Sequence, residues 1–427
     1  MRVLLSDGSG LTARQVAAQL FAAGHTVEAL SPDRLALTRF TRCVRRVHPV
    51  PPYGIDPFAW LDEALAVVAA GHFDVLFPTQ EQVAVLARCE HRLRAAGVRT
   101  AVPAFDALAR VQDKLSARAT LAELGLPQPE GAVVASPEEL CAWERFPVFV
   151  KTPIGTATTG VRHVTDRAEL AAVAVEWGGQ GVFADGGVLV QAPATGPLVM
   201  VQSVFADGCL VAHHSNLRVR EGASGSASHK RSVDLPEVRG HVALLGEKLG
   251  WHGALSVDAI LTATGPVYID VNPRLVEPAN AERAGVDLVA ALLDVSIGRA
   301  PATQPPGRDG VATHQLLLAV LGAAQHERTR RAVLAELMQA LSHRGAYHQS
   351  VEELTPVRHD LRAALPVVVA ASATLASPSA WRWFSSGAVA TYALTPSAWR
   401  RIVAREESPP NNEDRPAGEP TASRKCQ

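Results

Sequence analysis

Two rhythms of apolar and polar positions alternate along the first hundred residues. "RVLLS" (2–6) and "HTVEALS" (25–31) are short apolar runs that predict strands, and "FDVLFPT" (73–79) predicts a buried strand ending in a proline turn. Between them, "LTARQVAAQLFAAG" (11–24), "DPFAWLDEALAVVAAG" (56–71) and "EQVAVLARCEHRLRAAG" (81–97) repeat apolar residues at helical spacing. Strand–helix alternation of this kind predicts a doubly wound α/β domain over residues 1–105.

The pattern changes after residue 105. "FDALARVQDKLSARATLAELGLPQPE" (105–130) predicts helix, stopped by Gly125 and Pro127. Then come the strands "PVFVKT" (147–152) and "GVLVQA" (187–192) and two long strand-like runs, 198–208 and 209–221. A loop, "GASGSAS" (222–228), reads as flexible. A helix follows over 237–250, and "ALSVDAILTATGPVYIDVNPR" (254–274) predicts a hairpin. Helical patterns dominate residues 301–404, and the polar, proline-rich stretch 405–427 predicts a disordered tail. The fold class is therefore α/β followed by α+β, in 427 residues, too many for one core.

Composition narrows the function classes. A formal net charge of −1 provides no global basic field for nucleic acid. The apolar run "LPVVVAASATLASPSAW" (365–381) is interrupted by serines and prolines and predicts a buried or interfacial helix rather than a membrane span. Five cysteines with no CxxC pair predict reduced thiols and a cytoplasmic location. The aromatic group Trp381, Trp383, Phe384, Tyr392 and Trp399 predicts core packing or a homodimer contact.

The chemistry concentrates in the hairpin. Strand side chains alternate, so Asp270 and Asn272 share a face, and the turn near Thr264 and Gly265 brings Asp258 towards Asp270. Three oxygen donors on adjacent strands suit a hard cation such as Mg²⁺; solvated polar groups on an exposed hairpin are the plainer account. Arg274, just beyond, has the fork that grips a phosphate or carboxylate. Lys151 ends a strand and precedes "TPIGTATTG" (152–160), whose glycines and threonines expose backbone N–H groups. Lys114 and Lys230 are unremarkable when taken alone. His213, His214 and His229 lie nearby in sequence and read as exposed polar strand positions rather than acid–base groups.

Taken in order, these pieces resemble the ATP-grasp superfamily over about residues 106–300, with residues 1–105 resembling its N-terminal domain. The interval from Asp258 to Asp270 and Asn272, then Arg274, is similar to the metal-site spacing of the biotin carboxylase and carbamoyl-phosphate synthetase branch. The resemblance implies ATP with Mg²⁺, or Mn²⁺ in its place, held by Asp258, Asp270 and Asn272. It implies that Lys114 and Lys151 contact ATP, that Gly155 and Gly160 belong to a loop closing over the phosphates, and that Gln191, Ala192 and Pro193 form the adenine hinge. Lys230 and Arg274 would face the γ-phosphate or the acyl phosphate. The implied activity is carboxylate–amine ligation with small-molecule substrates; a carboxylase-type enzyme and an ATP-binding sensor without turnover are the alternatives. Both metal acids are Asp where Glu is usual, and Leu198 stands near a position that usually carries an acid.

One signal competes. "GSGLTA" (8–13), with Glu28 further on, fits a dinucleotide fingerprint. A tight glycine turn into a helix needs the same residues, and contacts to substrate from Ser9 or from Thr79, Gln80 and Glu81 fit this strand end better.

Overall fold

The computed structural model describes residues 1–156, 159–299, 301–354 and 360–405. Residues 406–427 of the expected tail, and Ala157 and Thr158 of the glycine- and threonine-rich loop, lie outside the described residues.

Strands β1 (Arg2–Leu5), β2 (Thr26–Ser31), β3 (Val47–Pro49) and β4 (Val75–Phe77) form a parallel sheet in the order β3-β2-β1-β4. The crossover helices Leu11–Ala22 and Pro57–Gly71 follow β1 and β3. Asp56 starts the second by accepting from the Phe58 and Ala59 amides, with Pro57 in the first turn. The predicted helix 81–97 is two short helices, Val83–Arg88 and Glu90–Ala95, meeting at Cys89.

A small antiparallel sheet comprises β5 (Gly131–Val134), β6 (Val148–Lys151), β7 (Val161–Val164) and β8 (Val188–Gln191), ordered β5-β8-β6-β7. Helix Arg167–Gly179 covers it, burying Leu170 and Trp177 against Val148 and Val150.

The large sheet has the order β13-β12-β9-β10-β11-β14-β15. Its members are β9 (Leu198–Ala206), β10 (Cys209–Glu221), β11 (Ala227–Ser232), β12 (Gly253–Thr262), β13 (Gly265–Asn272), β14 (Ala312–His314) and β15 (Val351–Glu352). Helix Pro236–Leu249 packs Val238, Val242 and Leu245 into the same core as Val201 and Phe205. Gly246 permits this approach, since a Cβ there would come within 2.0 Å of the Phe205 ring. Helix Leu288–Ser296 buries Leu288, Leu292 and Val295 among Val3, Leu5, Val204 and Ala254. One helix thus fixes the parallel sheet against the large sheet.

The region after residue 300 is mostly helical, as expected, and also contributes β14 and β15 to the large sheet. One sequence expectation is corrected here. The "GASGSAS" loop contains a single 3₁₀ turn, Ala223–Gly225, tied down where the Ser224 amide donates to the Gln325 side chain at 2.8 Å. Among the described residues no helix is long and apolar enough to cross a membrane. Of the aromatic group, Trp381 and Phe384 pack onto a core around Leu317 and Ala370, Trp399 packs on Phe105 at 5.9 Å, and Trp383 remains exposed.

Candidate active site

The hairpin β12–β13 pairs Asp258 directly with Asp270 and Ser256 with Asn272, with a bulge just past Asp258. Both aspartates and Asn272 are partly exposed on one edge of the sheet. The Asn272 amide lies 3.5 Å from Asp258 Oδ2, at the limit of a hydrogen bond. Burial, and then the facing Asp270 carboxylate, push the Asp258 carboxyl up to about 7. A cation placed between the two would relieve that repulsion, so the donor set fits a divalent metal.

Lys114 reaches the hairpin from another element. The predicted continuous helix from residue 105 is broken at Asp113 into Phe105–Gln112 and Lys114–Glu123. Asp113 caps the second helix by accepting from the Leu115 and Ser116 amides at 3.0 and 2.8 Å. The break turns Lys114 towards β13, where its Nζ meets Asp270 Oδ1 at 3.0 Å. Its backbone amide donates to the Pro153 carbonyl at 2.9 Å, tying the glycine- and threonine-rich loop to the same point.

Lys151 ends β6 and donates to the Ile269 carbonyl at 2.8 Å. Burial, the largest cause, lowers its ammonium to about 8. In the following loop Gly160 has φ +76°, and a Cβ there would fall 2.0 Å from Thr152 Oγ1; at Gly155 it would fall 2.1 Å from the Thr159 carbonyl oxygen. Only glycine fits either place.

Arg274 donates from Nε to Glu81 Oε1 at 2.9 Å and from Nη2 to Asn272 Oδ1 at 3.3 Å. Glu81 Oε1 also lies 3.4 Å from Thr156 Oγ1. The end of β4, the loop and the hairpin therefore converge. Lys114, Lys151 and Arg274 here face Asp258, Asp270 and Glu81, a balanced set of three cations and three acids.

Between the two later sheets runs a cleft lined by Lys114, Ala117, Leu189, Gln191, Tyr268 and Asp270. Gln191, at the end of β8, lines this cleft. Ala192 and Pro193 do not line the cleft: the Ala192 amide donates to the Glu130 carbonyl at 2.7 Å and Pro193 is exposed. Arg118, not singled out in the sequence, also borders the cleft and donates to the Gly131 carbonyl at 2.7 Å.

Lys230 is fully enclosed. Its ammonium pairs with Glu277 and, at 2.8 Å, with Glu353 Oε2. Glu353 also accepts from Gln315 at 2.6 Å, Gln15 at 3.2 Å and Thr313 at 2.6 Å. Burial depresses the ammonium, but the two carboxylates outweigh it and leave it above the ordinary lysine range. Glu277 and Glu353 had no local sequence signal.

The histidine expectation is corrected. His213, His214 and His229 are buried, because β10 and β11 are covered on both faces. Burial lowers them to about 3, 4 and 4, so they are neutral. His214 pairs with Asn280 at 2.7 Å. Glu28 is likewise occupied, bonded to Arg2 at 3.2 Å and His48 at 2.7 Å, which leaves the dinucleotide reading without its ribose acid.

No family profile matches the chain. It is 26% identical to the carbamoyl phosphate synthase large chain of Thermus thermophilus over 225 residues, 48% of this chain and 21% of that protein. It is 25% identical to pyruvate carboxylase 1 of Caenorhabditis elegans over 277 residues, 58% and 23% of the two chains. The matches thus take in less than a quarter of either relative. Among solved structures it is similar to the biotin carboxylase domain of Hydrogenobacter thermophilus 2-oxoglutarate carboxylase, a dimer solved with MgADP and bicarbonate, with TM-score 0.58, 18% identity and 73% of each chain covered. N5-carboxyaminoimidazole ribonucleotide synthetase from Thermus thermophilus gives 0.55 at 18% identity, covering 74% and 82%. L-amino acid ligase from Bacillus licheniformis gives 0.52 at 16%, covering 70% and 75%. The chain shares its fold with these three structures.

Proposed function

We propose that this chain is an ATP-dependent ligase that activates a carboxylate as an acyl phosphate and joins it to an amine. The observation that carries the reading is the gathering of Lys114, Lys151, Asp258, Asp270 and Asn272, drawn from separate elements, at the β12–β13 hairpin, with Lys114 and Asp270 lining the cleft. ATP would lie between the two sheets, its phosphates beside Lys114, Lys151 and the loop containing Gly155 and Gly160. Mg²⁺, or Mn²⁺, held by Asp258, Asp270 and Asn272, would neutralise phosphate charge.

The step balances simply. A substrate carboxylate oxygen attacks the γ-phosphorus and ADP leaves; the amine nitrogen then attacks the acyl carbon, phosphate leaves with the C–O electron pair, and the nitrogen loses a proton. Such chemistry asks the protein for position and charge rather than for a covalent nucleophile. Arg274, held by Glu81 and Asn272, would receive the group being activated.

A carboxylase-type reaction, with bicarbonate as the carboxylate, is the second reading; the similarity to a biotin carboxylase domain solved with bicarbonate favours it. A homodimer, as in that domain, is the assembly we propose, and sizing in solution checks it. Phosphate release from Mg-ATP with paired acids and amines, or with bicarbonate, separates the two reactions. ATP binding without any release would favour a sensor.

A further inference from the structure

The two aspartates of the hairpin already have their charge met by lysines. Lys114 Nζ holds Asp270 Oδ1 at 3.0 Å, with the lysine side chain 12% exposed and the aspartate 30%. Lys151 Nζ donates to the carbonyl of Ile269, the residue before Asp270, at 2.8 Å. Both lysines act on Asp258, and both aspartates act on Lys151. A divalent cation arriving alone would therefore meet two ammonium groups in a half-buried place, where like charges repel more strongly than in bulk water. A polyphosphate arriving with it brings the opposite charge.

Lys114 has what it needs to change partner. Lys114 and Asp270 both line the cleft between the two later sheets, so their ion pair borders the space assigned to nucleotide. Lys114 is the first residue of helix Lys114–Glu123, at the positive end of the helix dipole, where an ammonium gains from a nearby anion. Its backbone amide, bonded to the Pro153 carbonyl at 2.9 Å, is fixed to the loop containing Gly155 and Gly160. The flexible four-carbon stem lets the ammonium pass from a carboxylate to a phosphate with the backbone held.

We propose that Lys114 is an exchangeable counter-ion: it neutralises Asp270 until nucleotide phosphates in the cleft take its ammonium, and only then does the hairpin bind a divalent cation tightly. Lys114 thereby opposes the metal when nucleotide is absent and favours nucleotide itself. The proposal rests on the metal and nucleotide assignments made above and adds the residue that couples them.

The test uses the full chain and two separate titrations. Mn²⁺ is added without nucleotide and the free ion is followed by electron paramagnetic resonance; ATP is added in excess EDTA and followed by calorimetry. Wild type is compared with Lys114→Met, Lys114→Arg and the double variant Lys114→Met, Asp270→Asn. A cation beside a carboxylate weakens its hold on a proton by about ten- to a thousandfold, and a doubly charged ion should feel it at least as much. Lys114→Met should therefore bind Mn²⁺ alone at least about tenfold more tightly than wild type, and adding Asp270→Asn should remove the gain. The same variant should bind metal-free ATP at least about tenfold more weakly. Lys114→Arg, which keeps the charge, should hold Mn²⁺ about as weakly as wild type. A lysine with only a structural role would not move the two affinities in opposite directions.

An unchanged or reduced Mn²⁺ affinity in Lys114→Met, a gain that survives Asp270→Asn, or an unchanged ATP affinity would overturn the proposal. Mn²⁺ bound by none of the proteins would overturn it together with the metal assignment. Should Lys114→Met not fold, Lys114→Gln carries the same comparison. Turnover separates this proposal from the ligase reading. Opposite shifts in the two affinities without phosphate release from any acid and amine would sink the ligase and leave the exchange. Phosphate release with both affinities indifferent to Lys114 would do the reverse.

Discussion

Asp258 and Asp270 face each other in register across β12 and β13, and Lys114, from a different part of the chain, pairs with Asp270 at 3.0 Å. The hairpin thus brings two acids together while only one is offered a lysine at bonding distance. This is an arrangement that a cation would stabilise.

Arg274 spans Glu81 and Asn272 with two different nitrogens of its fork. Arg274→Lys keeps the charge and loses the span. Turnover should fall by about a hundredfold, as when an interaction of a few kcal/mol made in the transition state is removed. ATP affinity measured by calorimetry should stay nearly unchanged. Equal loss of both would instead place Arg274 in nucleotide binding.

Gly160→Ala forces a side chain into a left-handed conformation and against Thr152. The backbone term alone costs about 1–2 kcal/mol. ATP binding should weaken, while urea denaturation should show a loss confined to about that size. Wild-type ATP affinity in this variant would show that the loop takes no part in holding phosphates.

Lys230 lies between Glu277 and Glu353. Lys230→Met leaves two buried acids unpaired, and breaking buried pairs of this kind costs about 3–5 kcal/mol. Adding Glu353→Gln should restore part of the stability, because one orphan charge is then gone. A double variant less stable than Lys230→Met in chemical denaturation would contradict the pairing.

The buried histidines predict acid lability. His213, lowered to about 3, and His214, His229 and His314, each lowered to about 4, are depressed chiefly by burial. Arg239 and Arg220 lower His213 and His229 further, while Glu353 opposes the shift at His214, His229 and His314. Below the ordinary histidine value near 6.5 the unfolded chain takes up protons that the folded chain refuses. Their stability contribution is therefore whole above about pH 6.5 and is lost as pH falls towards 4. Melting temperature should drop across that window, and less steeply in His213→Gln; a flat profile would show that these groups are not held neutral.

Much of the hairpin was legible in the sequence because strand alternation and a turn are local rules. Asp258, Asp270 and Asn272 meet as their spacing implies. The Lys114–Asp270 pair was not legible from spacing, since 156 positions separate them and Asp113 breaks the helix between them and the preceding segment. Glu353 arrives through β15, two residues long and without a period to read. Polar residues on β10 and β11 suggest a wetted face for the histidines, whereas Asn280, Ser203 and Ser215 satisfy His213 and His214 inside. The hinge role of Ala192 and Pro193 rests on the resemblance alone; the structure adds that the Ala192 amide donates to the Glu130 carbonyl.

The most direct test is phosphate release from Mg-ATP with carboxylic acids and amines, singly and in pairs, comparing wild type with Asp270→Asn. The account predicts release, with ADP as co-product, that requires both an acid and an amine and falls at least about a hundredfold in the variant. Release that needs neither partner, or that survives in Asp270→Asn, would contradict it.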